Sequence, residues 1–281
     1  MKCWRWCLMA WLAAATQIAQ AAYTCSVSVT SVTAFYDSLA TAANDSIGSY
    51  TINCSRASGD SASMAYTLTA NNGLDPVGVN NRASRGAAPN PTMRYDVFKD
   101  SGYSTKWGLT GGSVISGTLA FGTATSATLT AATYARAPAA QTVQTNSTYV
   151  DSIAVTLTYG PANSSATAAM AISISTVPTV LISVPPGDVA FNYSSFAGAQ
   201  AASTSYVVRG TSGLAYTMAL DSSSGSVLGL TYTLWLSAAG ATANGALQTY
   251  TINGSMAAGQ SGTCASGSCA GSRPHTLTIT Y

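Results

Sequence analysis

The sequence predicts an all-β protein of two tandem immunoglobulin-like β-sandwich domains, the second lacking its last strand. Three observations carry this. Short stretches in which branched or aromatic residues alternate with Thr, Ser or Ala recur along the chain, and period-two alternation marks a half-buried strand. Turns rich in Gly, Asn, Ser and Pro separate these stretches, with no strong helical periodicity after the N-terminal segment. The chain is also written twice. "SYTINCSRASGDSASMAYTLTANNG" from Ser49 resembles "SYVVRGTSGLAYTMALDSSSG" from Ser205, and "MRYDVF" from Met93 resembles "LTYTLW" from Leu230. "YARAPAAQ" from Tyr134 resembles "INGSMAAGQ" from Ile252, and "VTLTY" from Val155 resembles "LTITY" from Leu277. The blocks keep their order, which argues for two domains of ordinary size.

The opening "MKCWRWCLMAWLAAATQIAQA" has basic Lys2 and Arg5, an apolar run from Leu8 to Ala15 and the small-x-small site Ala19-Gln20-Ala21. It reads as a secretory signal over 1–21. The run is shorter than the roughly 20 apolar residues of a membrane anchor. The domains then span 22–176 and 177–281. Cleavage removes two of the 11 basic residues and leaves nine, matching the nine acidic ones. Without a Lys/Arg cluster to replace counterions, nucleic acid is excluded as a partner.

Cys3 and Cys7 leave with the signal. Cys25, Cys54, Cys264 and Cys269 remain, an even count that reads as disulfides in an exported chain. Four cysteines allow three pairings; the local ones, Cys25–Cys54 and Cys264–Cys269, are favoured. Zinc, the rival reading, needs several thiolate or imidazole ligands, and His275 is the one histidine. No metal or cofactor is expected.

Strands are expected in the first domain near 25–29, 49–54, 65–69, 93–98, 133–135 and 152–159. In the second they are expected near 180–184, 206–209, 216–220, 230–236, 249–252 and 276–281. Six is one short of an immunoglobulin-like set. The first domain has a candidate seventh in "ATAAMAISIS", where Met170, Ile172 and Ile174 alternate with small residues. It would fold back beside 152–159. The second domain has no counterpart after Tyr281. Its sheet should therefore expose unpaired backbone along a groove edged by Leu277, Ile279 and Tyr281. Such an edge is an aggregation hazard unless another chain supplies the strand.

The ordered set "YTCSVSV", "TINCS", "MRYDVFKD…WG", "ARAPAAQ" and "YVDSIAVTLTY" resembles the spore coat protein U domain, found in secreted pilins of archaic chaperone–usher pili. The first module matches more fully. The second matches through "VAFNYSSF", "AAGQ" and "HTLTITY" but lacks the paired early cysteines. The resemblance implies export, a periplasmic pilus chaperone, an outer-membrane usher, and polymerisation in which an adjacent pilin's N-terminal strand fills the groove. Two-domain members resemble tip adhesins, which implies a cell-surface protein at the pilus tip that promotes attachment to abiotic or host surfaces and biofilm formation. Only Ala22, Tyr23 and Thr24 separate the cleavage site from Cys25, a span of about 10 Å. The expected mature chain accepts a donor strand but has no arm to give, which fits the tip.

An enzyme is the rival class, but no nucleophile–base pair or paired carboxylate stands out, and no catalytic residue is assigned. A shaft pilin or secreted coat protein without an adhesive site is the closer alternative. An adhesive site is expected on the stretch from Tyr103 to Leu129. Tyr95 and Tyr134 lie 39 positions apart but Tyr232 and Tyr250 only 18, so the first domain carries about 21 extra positions here. Trp107, Leu109, Val114, Ile115, Leu119 and Phe121 would form an apolar, uncharged surface patch if exposed. The opposing possibility is that the insertion folds as extra strand and buries them.

Overall fold

The structure, a computed structural model, describes residues 23–78, 81–84 and 92–281; the expected signal over 1–21 lies outside them. No helix among the described residues is long and apolar enough to cross a membrane. In the N-terminal half the strands are β1 (Thr24–Val29), β2 (Val32–Tyr36), β3 (Asn44–Ser55), β4 (Ser63–Ala70) and β5 (Asn81–Ser84). They continue with β6 (Thr92–Phe98), β7 (Ile115–Ala120), β8 (Ser126–Ala137), β9 (Thr148–Tyr159) and β10 (Ser164–Thr176). One layer runs β1-β3-β8-β6 and the other β7-β4-β9-β10-β2, with β5 pairing β6 and touching β9 to join them along one side.

The candidate seventh strand forms and is longer than expected. β10 runs antiparallel to β9 from Ser164 opposite Tyr159 to Ser175 opposite Thr148. Its other edge takes β2 in parallel, Ile172 beside Val32 and Thr176 beside Tyr36. Met170, Ile172 and Ile174 of β10 and Ile153, Val155 and Leu157 of β9 are all buried in one continuous core. β8 extends well beyond the expected 133–135. Its alanines, Ala127, Ala131, Ala132, Ala135 and Ala137, blur the alternation and have weak strand preference.

The insertion is the main correction. It does not project: Trp107, Leu119 and Phe121 are 2%, 5% and 5% exposed, and Ile115 packs half-buried on the same core. The reason is the free edge of β4. β7 pairs with it from Ser63 opposite Ala120 to Leu68 opposite Ile115, and this pairing turns alternate side chains inward. Leu109 remains 54% exposed and Val114 is intermediate. The insertion is also shorter than the sequence suggested. Tyr134 lies opposite Phe98, and Asn253 opposite Trp235, so Asn253 rather than Tyr250 is the counterpart of Tyr134.

The C-terminal half contains β11 (Val180–Val184), β12 (Gln200–Gly210), β13 (Ala215–Leu220), β14 (Ser224–Val227), β15 (Leu230–Leu236), β16 (Gly240–Thr242), β17 (Gln248–Met256) and β18 (Leu277–Thr280). A sheet ordered β11-β12-β17-β15-β14 faces a shorter one ordered β16-β13-β18. Tyr206, Val208 and Ile252 meet Tyr216 and Met218 between them.

Both local disulfides are present, Cys25–Cys54 and Cys264–Cys269, which removes their sulfurs as metal ligands. Cys25 and Cys54 are register partners on β1 and β3, and both are buried. Loop closure over a separation of 29 residues contributes about 3–4 kcal/mol. Replacing both with Ala should lower the melting temperature of the N-terminal half by roughly 10 °C, read by calorimetry. Replacing the exposed Cys264–Cys269 pair should cost less, because its loop is shorter.

The two halves meet at the Thr148 end of β9. Thr145 N–H donates to Ser212 O at 2.8 Å, and Gln144 Nε2 to Ser212 Oγ at 3.2 Å. Ser38 Oγ lies 3.3 Å from Oγ1 of the fully buried Thr211. The Tyr159 end of β9 is the pole remote from this junction.

An unpaired groove in the C-terminal half

The repeat can be followed side chain by side chain. Gln141 N–H donates to Tyr36 Oη at 3.0 Å, and Gln260 N–H to Tyr193 Oη at 2.9 Å. The Gln141 amide clamps the backbone of Arg94, and the Gln260 amide clamps that of Thr231. Arg94 and Thr231 are themselves matched in the repeat. Tyr193 is therefore the counterpart of Tyr36, which makes Val189, Phe191 and Tyr193 the counterparts of Val32, Ala34 and Tyr36 on β2. The alternation agrees: Val189, Phe191 and Tyr193 are half-buried, while Ala190 and Asn192 are exposed.

On the other side, β18 pairs with β13 from Thr217 opposite Thr280 to Leu220 opposite Leu277. This is the register of β4 with β9, where Tyr66 faces Tyr159 and Ala70 faces Val155. In the N-terminal half β10 sits between β9 and β2. In the C-terminal half β18 and residues 189–193 stand as two lips of a groove, and among the described residues β18 pairs only with β13.

Burial measures the consequence. Val155, Leu157 and Tyr159 are 0%, 0% and 7% exposed, whereas their counterparts Leu277 and Ile279 are only half-buried and Tyr281 is 59% exposed. The core is divided to match. One group centres on Tyr206, Tyr216 and Met218, the other on Tyr232, Leu234 and Met256, and half-buried Val189 and Leu220 touch both. The side chains that would fuse them occupy the β10 position in the first repeat. Gly254 on β17 lets the far lip lie close. A Cβ there would come within 2.7 Å of Phe191 Cζ and 2.8 Å of Val189 Cγ1, a separation no ordinary packing tolerates.

The sequence located one lip, Leu277, Ile279 and Tyr281, and missed the other. The signal was available in the matched alternation of "VTAFY" and "VAFNY". β18 is also shorter than its counterpart, four residues against twelve, because all twelve residues of β9 pair with β10 and only five with β4, whereas β18 has the β13 ladder alone among the described residues. His275 anchors the start of the strand. Its Nδ1 lies 2.8 Å from Asp221 Oδ1 and its Nε2 2.7 Å from Tyr232 Oη, which ties β13, β18 and β15 together. The hydrogen bond from His275 holds the Asp221 carboxyl below its ordinary value. Since the folded value is the lower one, this contact stabilises the fold above about pH 4 and is lost as pH falls through the folded value. His275→Gln should therefore flatten the loss of stability between about pH 5 and pH 3, measured by urea denaturation.

The surface expectation fares differently. Trp107, Leu119 and Phe121 belong to the core, and of the six candidates only Leu109 is exposed.

One chain of the chaperone–tip adhesion subunit pre-assembly complex (CsuC–CsuE) from the archaic chaperone–usher Csu pili of Acinetobacter baumannii shares the fold. It has a TM-score of 0.51 and 14% identity over 92% of this chain and 100% of that one. The CupB6 tip adhesin of Pseudomonas aeruginosa aligns with a TM-score of 0.39 and 9% identity over 93% and 96% of the two chains. No curated protein sequence matches the chain. The family model of the Spore Coat Protein U domain matches residues 10–156, more than half of the chain, and the protein belongs to that family.

Proposed function

We propose that this protein is the tip subunit of an archaic chaperone–usher pilus, that it mediates adhesion to surfaces and biofilm formation, and that its C-terminal half holds it on the fibre by accepting a strand from the adjacent pilin. The groove between β18 and residues 189–193 carries the reading. Its lips match β9 and β2, which in the first repeat enclose a strand of the chain itself. Strand addition supplies backbone hydrogen bonds and buries alternate side chains in pockets. A periplasmic chaperone would cover the groove first, and exchange at an outer-membrane usher would pass it to the pilin, leaving the subunit at the cell surface. Family membership and the fold shared with the Csu complex support this order of partners. Contact with an abiotic or host surface then falls to the N-terminal half, whose β10 position is already filled. Leu109 is the exposed large apolar side chain of the insertion.

The test uses a peptide copying the N-terminal arm of a shaft pilin from the same pili. It should bind the purified chain and raise its melting temperature, and cells whose pili lack this chain should no longer hold to polystyrene. A peptide that leaves the melting curve unchanged would sink the acceptor reading. Undiminished attachment would sink the adhesive one.

A further inference from the structure

The junction between the two halves is a template for a second junction. β10 leaves its sheet at the Thr148 end of β9, and after Val177, Pro178 and Thr179 the chain enters β11. The following domain thus sits on the pole where the filling strand exits. It covers the turn whose Ala40 N–H donates to Asp37 O, so that Ser38 is 6% exposed and Leu39 is half-buried. The C-terminal half has a turn at the matched position, with Ala197 N–H donating to Ser194 O. There Ser195 is exposed and Phe196, the counterpart of Leu39, is 74% exposed.

A second observation concerns backbone strain. Phe196 has φ of 63°, in the left-handed region, where a Gly or Asn sits more cheaply. Leu228 and Gly229 link β14 to β15 in a two-residue turn with φ of 52° and 74°. The first position of such a turn normally takes Asn, Asp or Gly, yet Leu228 stands there, 38% exposed. One loop braces both residues: Phe196 N–H donates to Gln260 O, Ser195 Oγ to Ser261 O and Thr263 N–H to Leu228 O. The Cys264–Cys269 bridge closes the next residues of that loop. Phe196 is thus held outward, and Leu228, packed beside Gly271, is left partly exposed, both at a backbone cost and on a pinned support, the kind of strain kept for a contact.

Resting on the strand-acceptor reading, we infer that this pole is the seat for the folded body of the strand-donating subunit. Phe196 and Leu228 are its apolar anchors, and the subunit docks as the C-terminal half docks on the N-terminal half. A strand entering antiparallel to β18, as β10 lies on β9, exits at the Leu277 end. That end shares the pole, since Asp221 N–H donates to Thr276 O and Tyr232 lies opposite Met256. A linker of about three residues spans roughly 10 Å, which keeps the donor's body over Phe196 and Leu228.

The experiment compares Phe196→Gly/Leu228→Asn with the unaltered chain, against the purified shaft pilin with its arm and against the arm peptide alone. Both substitutions suit left-handed backbone, so the variant should melt no lower than the parent. The variant should bind the whole pilin at least tenfold more weakly and the peptide equally well. In the parent, hydrogen exchange should slow at 194–197 and 227–230 with the pilin only, and near β18 with both. Equal binding of the pilin by both chains, or no protection at 194–197, overturns the seat while leaving the groove intact. Failure of the parent to bind even the peptide overturns both.

Discussion

A copy of β10 appended after Tyr281 should raise the melting temperature of the C-terminal half by at least about 10 °C. The graft needs only the four-residue turn Gly160-Pro161-Ala162-Asn163 that joins β9 to β10, because Tyr159 faces Ser164 directly and Tyr281 is the counterpart of Tyr159. In register, the copy lies against Leu277 and Ile279 on one side and Val189, Phe191 and Tyr193 on the other. Its counterparts of Met170, Ile172 and Ile174 then fill the gap between the two core groups. Burial of each such side chain is worth about 1.5–3 kcal/mol, and a domain of about 100 residues gains roughly 4–8 °C for each kcal/mol. The control graft carries Ser at those three positions. It forfeits about 2–5 kcal/mol at each and should leave the melting curve where it began. If both grafts melt like the parent, the groove does not take a strand in this register.

Trp107→Ala should lower the melting temperature of the N-terminal half by roughly 10 °C or more. The side chain is 2% exposed, its Nε1 donates to Leu68 O at 2.9 Å, and its ring lies 6.1 Å from that of Tyr50. Removing a buried Trp costs about 3–5 kcal/mol in packing alone, and the change also loses the hydrogen bond to Leu68 O. Leu109→Ser, two residues on and exposed, should stay within about 0.5 kcal/mol of the parent. Calorimetry of the two variants separates core from surface. Equal melting of both would return the whole insertion to the surface.

The fold class was legible because period-two alternation reports directly that one face of a segment is buried. The repeat was legible because matched cores need matched residues, and the Tyr36–Gln141 and Tyr193–Gln260 clamps are its most exact physical trace. The disulfides were legible because both pairings are local. The seventh strand of the first repeat, and its absence from the described strands of the second, also followed from alternation and order. What alternation does not carry is the identity of the element that covers the buried face. "ISGTLAF" reads equally well as an apolar surface loop or an edge strand, and only the free edge of β4 made it β7. "VAFNY" alternates like a strand, yet its part as the second lip depends on its position across from β18. These are long-range pairings, set by hydrogen-bond register and packing between segments far apart in the chain. The sequence by itself determined which faces of the repeated strands turn inward; the tertiary structure decided that the insertion turns inward too, and what each buried face meets.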